Sequence, residues 1–72
     1  MIGYAVIVEQ ADDGGYGAWS PDLPGCVALG DTIAECLAEM KAAIALYLDV
    51  LRERGDEVPE PRAIEAVTVP AA

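Results

Sequence analysis

Two thiols and thirteen carboxylates are the groups in this chain with the chemistry to act on a substrate. A cysteine nucleophile needs a neighbouring base to make the thiolate, most often histidine, and none of the 72 residues is a histidine. Cys26 and Cys36 are therefore read as packing residues, with no catalytic residue expected. Two cysteines without histidine also fall short of the four ligands of a zinc site. An all-thiolate site shared across a dimer would lack the paired-knuckle spacing usual in such sites, so no metal is expected either.

The carboxylates of Glu9, Asp12, Asp13, Asp22, Asp31 and Glu35 could gather around a divalent ion, as two-metal nucleases require. A metal-dependent nuclease using Glu9, Asp22 and Asp31 is the enzymatic alternative. Local structure accounts for most of these side chains without it. Asp12 and Asp13 favour a turn, Glu9 ends a strand, and Asp31 and Glu35 belong to a helix start. Asp22 alone has no such role in the sequence. Tyr4, Tyr16 and Trp19 could stack on bases, but four basic residues against thirteen acidic ones leave a charge of −9, which repels the phosphate backbone. No direct contact with nucleic acid is expected, and a basic protein is the better electrostatic match.

The elements that would carry these residues follow from periodicity. Residues 3–10, GYAVIVEQ, read as a strand with apolar side chains on both faces, a pattern suited to cover on both sides. ADDGG supplies a turn with Gly14 or Gly15 at positive φ, and YGAWS, residues 16–20, returns as the second strand of a hairpin. Pro21 and Pro24 cannot donate to a ladder, so PDLPG is expected to leave the sheet, turn at Pro24-Gly25 and re-enter as CVALG, residues 26–30.

Thr32 with Glu35 is a capping box, and Gly55 beyond Arg52 and Arg54 is a stop, so one helix is expected from Ile33 to Arg54. At 100° per residue its core face comprises Ile33, Leu37, Met40, Ile44, Tyr47, Leu48 and Leu51. The flanks, with Leu46, Val50 and several alanines, hold more apolar surface than a small sheet can cover. DEVPEPR reads as a stiff connector, and AIEAVTV, residues 63–69, as a short last strand.

The fold expected is therefore α+β, one domain over residues 1–72 in the order β-β-β-α-β, with an antiparallel sheet and one long helix on one face. A 54% apolar composition sets it apart from a disordered chain, although 72 residues support only a marginal core. Self-association as a dimer or tetramer is the expected remedy. No run reaches the roughly 20 apolar residues of a membrane span. With no basic, apolar leader at the start and two unpaired thiols, the chain is read as cytoplasmic, with no membrane partner and no cofactor.

The stretch YAVIVE followed by DDGGYGAWSPDLPGCVALGDTIAECLAEMKAAIALYLDVLRERGDEVPEP resembles the HicB antitoxin family. The family pattern has a strand ending in Glu, a Gly-Tyr turn, PDLPG-C, G-D-T-x-x-E, a helix and a late Pro-x-Pro. The resemblance implies a truncated RNase H-like fold and a toxin–antitoxin role, in which the protein is no enzyme but neutralises HicA, a small basic ribonuclease that cleaves messenger RNA. Members that repress their own operon continue into a DNA-binding module. The chain ends at Ala72 without one, so DNA binding is not expected.

Mapped onto this sequence, the motif makes Pro21, Asp22, Leu23, Pro24 and Gly25, with Tyr16 and Trp19 nearby, the expected partner-facing surface. A turn kept for its geometry alone is the competing reading of the loop. A solitary oligomer binding a small ligand is the remaining functional alternative.

Overall fold

The computed structural model describes residues 3–71, and its elements run β1 (Ile7–Gln10), β2 (Tyr16–Ser20), β3 (Leu23–Gly30) and α1 (Ile33–Glu53). The three strands form one antiparallel sheet in the order β1-β2-β3, with α1 packed across one face. The α+β class, the three leading strands and the single long helix match the sequence reading.

The β1–β2 turn closes through Ala11 N–H donating to Gly15 O at 2.8 Å, with Gly14 at φ 90°. The Asp13 carboxylate accepts from Gly15 N–H at 2.9 Å, an Asx contact that explains an aspartate there. At the helix start, Thr32 Oγ1 accepts from Glu35 N–H at 3.1 Å and the Glu35 carboxylate accepts from Asp31 N–H at 3.1 Å. The box thus closes one residue earlier than its usual form, on Asp31 in place of Thr32. Gly55 at φ 74° ends the helix as expected, after Arg54 as C-cap.

Ala18, Leu23, Cys26, Cys36 and Met40 form the buried centre, ringed by Tyr4, Val6, Val8, Tyr16, Ala28, Ala43, Ile44, Tyr47 and Leu48. Both cysteines are unpaired and buried. Burial pushes the Cys26 thiol pKa up by desolvation, which makes it a poorer nucleophile at neutral pH.

Four expectations are corrected. β1 is shorter than residues 3–10 and begins at Ile7. PDLPG does not leave the sheet as a unit. The turn falls at Pro21-Asp22, β3 resumes at Leu23, and the ladder steps from Ser20↔Leu23 to Trp19↔Val27. Pro24, Gly25 and Cys26 thus oppose a single step of β2, a bulge that tolerates a proline and puts Gly25 at φ 81°.

The helix packs Met40, Ile44, Tyr47 and Leu48 of the expected face on the core, but in its first turns Cys36 takes the buried place expected for Ile33 and Leu37. Cys36 and Met40 are fully buried while Ile33 and Leu37 lie half-exposed on a flank. Gly30 is the physical reason: with no side chain it lets β3 meet the helix at Cys36, where an added Cβ would stand 2.5 Å from the Cys36 nitrogen. Finally, residues 63–69 carry no strand. Ile64, Val67 and Val69 are 91%, 73% and 75% exposed, so the observed order is β-β-β-α.

Candidate functional site

Alternation along the strands sorts the sheet into two faces. Val8, Ala18 and Ala28 pair across the strands on the side that meets α1. The other side presents Ile7, Trp19 and Val27 in one row and Glu9, Gly17 and Leu29 in the next. No other element covers this face among the described residues, and it leaves Val27 at 62% and Leu29 at 76% exposure. Gly17 opens a shallow apolar depression between Trp19 and Leu29. The Trp19 indole N–H donates to the Glu9 carboxylate at 2.6 Å, which holds the ring across the sheet.

The expected partner-facing residues fall into three groups. Pro21, Pro24 and Gly25 are exposed at the end of the sheet, next to Trp19. Leu23 is 1% exposed and belongs to the core, so its side chain is not offered to a partner. Tyr16 is half-buried against the core at the opposite end of β2, about 13 Å along the strand from the turn.

Asp22 acquires the structural role that its sequence context lacks. Its Oδ2 accepts from the backbone N–H groups of Arg62 and Ala63, both at 3.0 Å, and so fastens the connector after α1 to the β2–β3 turn. Tyr4 strengthens the same attachment by donating its hydroxyl to Pro59 O. The proline pair of PEP keeps this connector extended as it crosses the turn.

Glu9, Asp22 and Asp31 are thereby committed to different places: an indole, the connector and the region before the helix. Among the described residues no three His, Cys, Asp or Glu side chains converge as metal ligands. The carboxylates instead border the apolar face. Asp13, Asp31, Glu35 and Glu39 surround a cleft with Tyr16 and Leu29, and Leu29 joins that cleft to the open sheet face.

Sequence reasoning missed Ile7, Gly17, Val27 and Leu29 as members of this surface. The signal was present in CVALG, whose alternation sets Val27 and Leu29 opposite Cys26 and Ala28. Which of the two sets would meet the helix was not decided by that alternation.

An antiparallel three-stranded sheet backed by one helix, with its other face apolar and uncovered, defines a small two-layer α+β domain. The sequence assigns it more closely, since a model of HicB-like antitoxins of bacterial toxin–antitoxin systems matches residues 4–71. The chain belongs to that family.

A UPF0150 protein of Synechocystis sp. is 43% identical over 65 residues, covering 89% of this chain and 90% of that protein. A UPF0150 protein of Thermoplasma acidophilum is 38% identical over 68 residues, covering 94% and 97%. Among solved structures, the N-terminal domain of the Burkholderia pseudomallei antitoxin HicB superposes with a TM-score of 0.68 at 32% identity, covering 74% of this chain and 62% of that one. A protein from Thermus thermophilus superposes with a TM-score of 0.69 at 35% identity, covering 90% and 80%.

Proposed function

We propose that this protein is an antitoxin that binds and neutralises a small basic ribonuclease of the HicA type, acting in the cytoplasm as a self-associated, non-enzymatic protein. The observation that carries this reading is the open sheet face: an apolar strip through Ile7, Trp19, Val27 and Leu29, bordered by Glu9, Asp13, Asp31, Glu35 and Glu39. Such a surface suits a partner with an apolar centre and a basic rim. A carboxylate border accelerates encounter with a cationic partner, while a desolvated aromatic at the centre slows its release. Cover of the toxin's RNA-binding groove by an acidic sheet face would inhibit it by exclusion and by charge. Family membership supports the antitoxin role, and the charge of −9 supports a basic partner.

The test is capture of the partner from the native lysate, followed by titration calorimetry and an RNA-cleavage assay with the purified pair. Trp19 is 38% exposed, so Trp19→Ala should lower the melting temperature by only a few degrees. It should weaken toxin binding tenfold or more, as loss of an aromatic anchor does. A large fall in melting temperature with unchanged affinity would place Trp19 in a purely structural role and remove this surface from the proposal.

A further inference from the structure

Residues 64–69 are the part of the molecule that the fold leaves unexplained. IEAVTV is rich in β-branched residues, yet among the described residues its backbone makes no hydrogen bond to the rest of the chain. Its root is fixed by Asp22 at the β2–β3 turn, and beyond that point its apolar side chains lie in solvent. The shape records the same thing. The radius of gyration is 13.4 Å, where a compact chain of this length has about 11 Å. The accessible surface is 5613 Å², where a compact 7.5 kDa monomer has roughly 4,200 Å².

The sheet offers a matching vacancy. β3 is an edge strand, and an exposed edge is a template for pairing with another chain. Beside it runs a groove of about 360 Å³ between Gly25, Cys26 and Val27 on β3 and Ala43, Leu46, Tyr47, Val50 and Leu51 on α1. Leu46 and Val50 are the helix-flank residues left without cover, at 66% and 39% exposure. Arg54 lines this groove, and among the described residues no carboxylate does.

We infer that residues 64–69 of one copy add to the β3 edge of a second copy, with Val67 and Val69, which share one face of the added strand, covering the apolar groove beside Leu46 and Val50, and that the exchange is reciprocal. This names the contact behind the self-association proposed above and rests on that reading; it is distinct from the proposed toxin surface on the sheet face away from α1, with which it shares Val27 at the β3 edge.

Three observations select a second copy as the occupant. The segment carries one charged side chain, Glu65, and the groove one of opposite sign, Arg54, so two chains of −9 would meet there where repulsion is least. The surface in excess of a compact monomer, about 1,400 Å², exceeds the roughly 800 Å² per partner of a standard interface. And the segment supplies the unpaired N–H and C=O groups that an edge strand requires, without any change in the fold that precedes it.

Sedimentation and hydrogen exchange of the full chain test this. The expected result is a species of twice 7.5 kDa whose amides at 64–69 exchange at least tenfold more slowly than those of a free peptide. Val67→Pro, in an exposed segment without hydrogen bonds, and Leu46→Lys, on the exposed helix flank, should each return the protein to 7.5 kDa with its helical circular dichroism intact. A wild-type monomer at millimolar concentration overturns both the inference and the self-association reading. A dimer that survives Val67→Pro overturns the inference alone, as does protection of 64–69 in a monomer, which would mean the segment closes on its own sheet.

Discussion

Replacing Gly30 by alanine probes the contact that orients the whole helix. Gly30 is not at positive φ, so the backbone accepts alanine there and the cost is steric. The new Cβ would stand 2.5 Å from the nitrogen, 2.8 Å from the Cα and 3.1 Å from the Cβ of Cys36. These are atoms of the first helical turn, where Cys36 N–H already donates to Thr32 O at 3.0 Å. No rotamer change relieves the overlap. Restoring ordinary contact at about 3.5 Å moves the start of α1 by about 1 Å. That shift pulls Cys36 and Met40, both fully buried, away from Leu23 and Ala18.

Overpacking of this kind costs about 1–3 kcal/mol, and the smaller entropy of the unfolded alanine chain returns about 0.4–1 kcal/mol. A net loss of about 1–2 kcal/mol corresponds to a melting temperature lower by about 4–16 °C in a domain of this size. Gly17→Ala is the control, since its added Cβ meets Leu29 Cδ2 at 3.6 Å and Ala28 O at 3.9 Å, both ordinary contacts. It should stay within about 0.5 kcal/mol of wild type. Thermal unfolding followed by helical circular dichroism compares the three proteins at one concentration. Equal melting temperatures for the two variants would refute the view that the G of GDT is a packing requirement.

Two further outcomes follow from buried polar atoms. Ser20 is 3% exposed, and its hydroxyl has no hydrogen-bond partner among the described residues. Ser20→Ala should therefore leave urea stability unchanged or raise it by about 1 kcal/mol, and a loss of more than that would reveal a partner for the hydroxyl. Cys26, with its pKa raised above the ordinary 9.0 by burial, sets a pH dependence of known sign. Well below 9.0 the thiol is neutral in both states. As pH rises, the unfolded chain releases its proton first, so stability falls until the folded thiol ionises as well. Urea unfolding at about pH 7 and about pH 10 should show wild type losing more stability than Cys26→Ala, and equal losses would mean that the buried thiol is not the cause.

How far the sequence reaches depends on the range of the interaction that places each residue. Capping at Thr32 and Glu35, the stop at Gly55, the Asp13 turn and the β2 hairpin strand are all set within a few residues. Their chemistry is complete in the local stretch, and they were legible there. The absence of histidine, the −9 charge and the excess of apolar residues on the helix flanks belong to composition and need no coordinates either. Family membership is also carried by the linear motif, because PDLPGC, GDT and PEP occur in order along nearly the whole chain.

The remainder depends on residues distant in sequence. Alternation shows that each strand has two faces but cannot say which one the helix will cover. The packing of α1 on β3 decides that, and Gly30 permits it by leaving room for Cys36 where the two elements meet. The same packing turns Ile33 and Leu37 outward, sends Leu23 into the core and leaves Trp19, Val27 and Leu29 as an open apolar face. Asp22 finds its partners some forty residues away, at the backbone of Arg62 and Ala63. Residues 63–69 have the composition of a strand, but a strand is defined by its neighbour, and within one chain no edge receives them. Local preference selects the conformations available to a segment, and long-range packing and pairing decide which of its surfaces is buried.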